Sequence, residues 1–175
     1  MSIDLTLLEW INRKFAHPVL DPFFVLLSSE KFWITILLTL LILSLASRKK
    51  KWVKYAVSLI LIMSVTDIFA SHLMKPFFKR LRPCHEYADV RRIEGKCGAF
   101  YSMPSNHASN AFSAAFFTFF LRPRDRRIFW GFLVAALVSY SRIYLGVHYP
   151  SDVLIGFVVG AVSGGSGYLA VKRLF

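Results

Sequence analysis

Acidic residues are scarce in this chain of 175 residues. Ten Asp and Glu stand against 22 Lys and Arg, and charged residues of both signs make up only 18% of the total. A soluble globular domain carries about 25% charged residues, so the shortage argues against one. Cysteine is almost missing as well: Cys84 and Cys97 are the only two, with no CxxC pair and no His cluster of ligand spacing beside them. That excludes the usual cysteine-based metal site. No internal repeat or low-complexity tract is present. No basic segment precedes a cleavable apolar stretch, so a removed signal peptide is not expected. What the chain has in excess is apolar: 55% hydrophobic residues, 17 of them Phe. That content argues against disorder. The net charge of +12 does not point to nucleic acid, because the cations sit between apolar runs and not on one polar face.

The apolar runs give the organisation. Residues 32–47, 108–121, 128–141 and 153–171 contain no Asp, Glu, Lys or Arg, and 55–71 contains a single acid, Asp67. A membrane-spanning helix needs roughly 20 residues, so the shorter runs draw on flanking residues or thin the bilayer locally. The expected fold is all-α, a polytopic bundle of about five transmembrane helices. Orientation follows from the short connections. Links 48–54 and 122–127 hold nine Lys and Arg in thirteen residues and are placed in the cytoplasm. The N-terminal segment, the loop 73–105 and the link 142–151 then fall on the outer face. Those three also hold eleven cations, so it is the density of the two short links that decides. Trp33, Trp52 and Trp130 lie near run ends, as interfacial anchors do.

Residues 1–31 read differently. Ile3, Leu7, Trp10, Ile11 and Phe15 fall near one helical stripe, with Asp4, Glu9, Arg13 and Lys14 elsewhere, the pattern of an amphipathic interfacial helix. The apolar run 23–28, after Asp21-Pro22, is too short to span. The domain reading is therefore an N-terminal interfacial segment, 1–31, and a transmembrane bundle, 32–175, with an active-site loop over 73–105. Cys84 and Cys97 both lie in that loop. They form a disulfide if that side is periplasmic, or stay as two free thiols.

Three polar clusters sit at outer membrane ends. Lys75 is followed after six residues by Arg82-Pro83. Pro104-Ser105-Asn106-His107 opens the third run. Ser141-Arg142 is followed after five residues by His148 and after three more by Asp152. Neither the spans nor the orientation used these clusters, yet all three fall on one side. Arg presents a planar fork to phosphate oxygens and Lys a point charge. Backbone amides at a helix start by Ser105 can bind an anion. A carboxylate such as Asp152 beside one imidazole nitrogen of His148 fixes the tautomer and leaves the other free to attack. His107 remains to protonate a leaving oxygen. Such a pocket can run phosphoryl transfer by positioning and charge, with no metal or other cofactor expected.

The three clusters, in order and spacing, resemble the signature of the type 2 phosphatidic acid phosphatase superfamily. The resemblance covers about 75–152 and the span layout around it. It implies a helical bundle and a phosphohistidine mechanism, with His148 the nucleophile, Asp152 its orienter and His107 the general acid. Lys75, Arg82, Ser105, Asn106 and Arg142 are the implied phosphate ligands, Asn106 standing where the family usually has Gly. The implied activity is that of a bacterial inner-membrane phosphatase whose site faces the periplasm. Its candidate substrates are lipid A 1-phosphate, undecaprenyl diphosphate and phosphatidylglycerol phosphate. The expected partner is thus a lipid phosphate within the bilayer. Two alternatives are a vanadate-dependent haloperoxidase, against which five spans argue because those relatives are soluble, and a non-enzymatic multi-span protein, which leaves the clusters unexplained.

Three further features stand outside the motifs. Gly156, Gly160 and Gly164 repeat every four residues, a small-residue stripe expected to face the bundle, with dimerisation as the alternative. Asp67 is expected to partner a nearby cation. Lys79, Arg80, Arg91, Arg92 and Lys96 make the outer loop basic, either to steer anionic head groups or simply as a solvated loop.

Overall fold

The computed structural model describes residues 2–93 and 97–175. Among them there is no β-strand, only one antiparallel bridge between Leu81 and Tyr101. The described residues form nine α-helices in chain order: α1 (Ile3–Glu9), α2 (Asp21–Leu27), α3 (Glu30–Ala46), α4 (Lys50–Ile68), α5 (Lys75–Phe78), α6 (Pro83–Glu86), α7 (Asn106–Leu121), α8 (Ile128–Tyr144) and α9 (Pro150–Val171). A π-helical turn, Trp10–Lys14, extends α1, and another, Phe69–Met74, joins α4 to α5 without a break.

Local chemistry sets the ends. Ser29 caps α3, its side chain accepting from the Phe32 N–H. Ser105 caps α7 in the same way, through the Ala108 N–H. Pro150 opens α9, where its missing N–H costs nothing, and Asp152 in the first turn accepts from the Tyr149 N–H at 2.9 Å.

Helix α7 is the centre, with α9, α8 and α4 packed around it and α3 lying outside on α4. The α7–α9 contact is the closest. A Cβ added at Gly156, Gly160 or Gly164 would come within 2.9 Å of α7 atoms, including Ala108 Cβ, Phe112 Cβ and Ser113 O. The small-residue stripe therefore faces the bundle.

The continuous helix Lys50–Phe78, 29 residues, and the helix Pro150–Leu174, 25 residues, are each long and apolar enough to cross a membrane. At 1.5 Å per residue the first is about 43 Å long, against about 30 Å for a hydrocarbon core. Helices α2 and α3 qualify only as a pair bent by 53°, and α8 is a shorter apolar helix. Two or three candidate spans thus meet the criterion by length, against the five runs of the sequence. The physical reason is that α7 and α8 have only 16 and 17 residues. In α7, Asn106, Ser109, Asn110 and Ser113 further dilute the apolar character. Outward-facing Ile34, Ile42, Leu61, Val65, Phe129, Leu154, Val162 and Leu169 are all more than half exposed, an apolar surface of the kind a bilayer covers.

The N-terminal 31 residues are not one helix. Leu5, Leu8 and Ile11 pack into a cluster with Cys84, Val90, Ile143 and Val147, while Ile3, Leu7, Trp10 and Phe15 face outward. Helix α2 packs on α8, with Phe24 against Tyr140 and Tyr144. Buried Asn12 accepts from the Arg91 N–H and donates to the carbonyls of Arg91 and Tyr144, tying the N-terminal segment to the loop and to α8.

Candidate active site

The loop after α5, the start of α7 and the α8–α9 connection converge at one end of the bundle. Lys75 stands where the π-helical turn returns to α-helix, a register change of the sort found at functional sites. Lys79 in a left-handed conformation then ends the helix. Residues 80–82 run beside 100–102, with the Arg82 N–H donating to the Phe100 carbonyl and the Ser102 N–H to the Arg80 carbonyl. The Cys84–Cys97 disulfide closes this loop.

Arg82 is buried. Its Nε donates to the Ala99 carbonyl at 2.5 Å, and its Nη1 donates to the Val147 carbonyl at 3.1 Å and lies 3.0 Å from His148 Nε2. A guanidinium only donates, so Nε2 is the acceptor and the proton of the neutral ring lies on Nδ1. That nitrogen faces Asp152 Oδ2 at 3.4 Å. It is a close approach and not a hydrogen bond, since Nδ1 has no hydrogen-bonding partner among the described residues. Burial holds the His148 imidazolium well below the ordinary histidine value, and the charges of Arg82, Arg142 and Lys75 act in the same direction. The ring is therefore neutral, and its Nε2 lone pair accepts from Arg82, a contact that attack on a phosphorus would have to displace.

His107 and Arg142 meet on one peptide group. His107 Nε2 lies 2.9 Å from the Ser28 carbonyl, and Arg142 Nη1 donates to the same carbonyl and to the Ser28 hydroxyl. The carbonyl only accepts, so His107 Nε2 carries a proton. Ser28 sits at the bend between α2 and α3. The sequence offered no signal for it beyond its place between two apolar runs. Arg142 Nε is buried without a partner among the described residues.

Ser105 is fully buried, and its N–H donates to the Asp152 carbonyl at 3.1 Å. Asn106 turns its side-chain amide to Asp67 Oδ1 at 2.8 Å and Ser71 Oγ at 2.5 Å, and Asn110 donates to the same Asp67 oxygen at 3.0 Å. Asp67 is thus held by two amides, not by the cation expected for it.

Lys75, Arg82, Asn106, His107, Arg142 and His148 line one cavity of about 1660 Å³. Ser105 and Asp152 stand behind that wall. Arg80 also belongs here, since it donates to Asp152 Oδ1 at 3.0 Å. It is no solvated loop residue. Arg91 pairs with Asp21, while Lys96 lies outside the described residues. Among the described residues no three His, Cys, Asp or Glu side chains are grouped to hold a metal ion.

An all-helical protein with membrane-length helices and a buried pocket of two histidines and three cations defines a phosphate-handling membrane class. The chain belongs to the PAP2 superfamily, whose family model matches residues 51–175. It is 35% identical over 153 residues to the lipid A 4'-phosphatase of Porphyromonas gingivalis, covering 85% of this chain and 64% of that protein. The lipid A 4'-phosphatase of Bacteroides thetaiotaomicron is 31% identical, with 99% of this chain and 79% of that one covered. The crystal structure of Aquifex aeolicus LpxE superposes with a TM-score of 0.72 at 30% identity, over 97% and 96% of the two chains. The chain thus spans about two thirds to four fifths of the length of the two lipid A phosphatases.

Proposed function

We propose that this protein is a membrane phosphatase that removes a phosphate from a lipid, with lipid A as the first substrate class. The observation that carries the reading is the shape of the cavity. Its polar end holds His107, His148 and three cations, and it continues between α3, α4, α7 and α8 along apolar walls such as Leu37, Leu59 and Val134. A head group fits the first part and hydrocarbon chains the second. The likeness to two lipid A 4'-phosphatases supports the choice of substrate class.

In this reading Lys75, Arg82 and Arg142 gather the phosphate, with Asn106 at the start of α7 beside them and Ser105 capping that helix from behind the cavity wall. The His148 Nε2 lone pair forms the N–P bond while the P–O bond to the lipid breaks, and His107 gives the departing oxygen its proton. Water then attacks the phosphorus and passes a proton to His107. The N–P bond breaks, and inorganic phosphate leaves with His148 neutral again. The negative charge of Asp152, 3.4 Å away, favours the proton on Nδ1 throughout.

The same proposal includes a membrane arrangement. Five helices cross, α3 the first of them, and the N-terminal segment lies at the interface with Ile3, Leu7, Trp10 and Phe15 toward lipid. The site opens on the periplasmic side of a bacterial inner membrane. Segment 1–31 serves as the interfacial part and 32–175 as the catalytic bundle. The test is phosphate release by the purified protein from lipid A, undecaprenyl diphosphate, phosphatidylglycerol phosphate and phosphatidic acid. Release from lipid A at the highest kcat/KM is expected. No release from any of the four overturns the proposal.

A further inference from the structure

Behind Asp152 lies a second polar assembly that none of the three motifs includes. Arg80 Nη1 donates to Asp152 Oδ1 at 3.0 Å and to Ser151 Oγ at 2.5 Å, and Nη2 donates to Asp4 Oδ2 at 2.6 Å. Asp4, on α1, accepts in addition from the Ser151 N–H at 2.9 Å and from the Ser151 hydroxyl. The guanidinium lies over the Tyr149 ring, its carbon 3.8 Å from the ring centre, and Tyr149 is fixed by a hydrogen bond to Glu86 at 2.7 Å. One face of the fork thus serves the carboxylate beside His148, and the other serves the N-terminal helix.

We propose that Arg80 and Asp4 are positioning residues for the histidine site. Arg80 holds Asp152 by Oδ1 so that Oδ2, held by the Tyr149 N–H, stays within 3.4 Å of His148 Nδ1, and Asp4 holds Arg80. The inference rests on the assignment of His148 as nucleophile. Its physical basis is geometric. The Asp152 side chain is wholly buried, and its two oxygens have different tasks. Arg80 Nη1 on Oδ1 and the Tyr149 N–H on Oδ2 hold the two oxygens separately, so the carboxylate cannot rotate about its own axis. Both partners are ionised. At Arg80 burial opposes the charge, but the Asp4 hydrogen bond and the carboxylates of Asp152 and Asp4 outweigh it. At Asp4 burial is likewise outweighed by Ser151 and Arg80.

The experiment uses the full chain in detergent with Arg80→Gln, Arg80→Lys, Asp4→Asn and the Asp4→Asn/Arg80→Gln pair, each checked for monodispersity. Arg80→Gln is expected to lower kcat about 10–100-fold, the usual cost of an outer-shell partner. KM should stay within about twofold, because no contact to substrate is lost. The groups facing His148 are Lys75, Arg82, His107, Arg142 and Asp152, with Arg80 and Asp4 behind the last. Removing the Arg80 charge leaves Asp152 unpaired, so the imidazolium becomes easier to form. The acid limb of the kcat/KM profile therefore moves to higher pH, and Arg80→Lys moves it back. Asp4→Asn should lower kcat alone, yet add nothing on top of Arg80→Gln, because Asp4 acts through Arg80.

A raised KM with kcat preserved would make Arg80 a head-group ligand and overturn the proposal. An unmoved pH limb with additive losses would make the assembly merely structural, with the same consequence. Titration of the His148 ring nitrogens by 15N NMR, assigned with His148→Gln, separates this proposal from the phosphatase reading. A wild type that releases no phosphate sinks the latter, while a His148 titration unaffected by Arg80→Gln sinks the former.

Discussion

The Ser105 N–H donates to the Asp152 carbonyl at 3.1 Å, so the first turns of α7 and α9 are fastened to each other where the second and third motifs meet. Below that point the same two helices touch backbone to backbone through Gly156, Gly160 and Gly164. The register of the two motifs is therefore set by helix packing as much as by the motif residues themselves.

Gly160→Ala tests that dependence. The new Cβ would lie 2.7 Å from both Phe112 Cβ and Ser109 O, and overpacking of this kind costs about 1–3 kcal/mol. The thermal midpoint in detergent is expected to fall, and phosphatase activity with it. Gly131→Ala, on α8, is the control, since nothing lies within 4 Å of its Cβ position. Equal midpoints for the two variants would contradict the account of the α7–α9 contact.

The two histidines should separate by leaving group. General acid catalysis is typically worth about 10²–10⁴-fold, and an activated aryl phosphate needs little of it while a lipid alkoxide needs most. His107→Ala is expected to impair lipid monoester hydrolysis far more than aryl phosphate hydrolysis. His148→Ala should abolish both and leave no acid-labile phosphoenzyme. Retained activity in His148→Ala, with His107→Ala equally poor on both substrates, would reverse the assignment of roles.

Activity is expected to persist in excess chelator, because the cavity offers cations and histidines in place of a carboxylate-rich ligand set. Orthovanadate should inhibit, since it adopts the five-coordinate geometry of phosphorus in transit to His148. Activity lost in chelator and restored by magnesium would count against this chemistry.

Much of this architecture is legible in the sequence, for identifiable reasons. Uncharged runs locate the long helices because apolar side chains must be covered by protein or lipid. Their ends are less legible. The basic link 48–54 shrinks to the few residues before α4, because Lys50, Lys51 and Lys54 continue the helix with their charges outward. The N-terminal stripe is half of the story, for Leu5 and Leu8 form a second apolar face that packs inward, and Ile11, read as part of the stripe, joins them. Motif spacing brings Lys75, Arg82, Asn106, His107, Arg142 and His148 to one cavity. It is silent on Asp4, whose partner Ser151 is 147 residues away, and on Ser28, 79 residues from His107. For Asp67, Asn106 and Asn110, spaced four apart on one face of α7, carried the signal that its partners are amides.

Orientation is open to a direct measurement. With Cys84 and Cys97 paired, a single new cysteine is the only free thiol in the chain. Lys50→Cys and Asp89→Cys, both at exposed positions, would be treated in intact cells with an impermeant thiol reagent. Labelling at 89 and protection at 50 are expected. The converse result inverts the proposed topology.

The bend at Ser28 has a consequence for selectivity. Arg142 and His107 already have acceptors there, one carbonyl and one hydroxyl, before any phosphate arrives. Head-group binding at those two residues is then an exchange of acceptors with little net gain, and the surplus has to come from chains entering the apolar length of the cavity. A soluble phosphate has that exchange alone, so it is expected to bind more weakly than a lipid while still reaching His148. Under the proposed function, preference for lipids over dissolved phosphates would thus draw on a backbone elbow outside all three motifs.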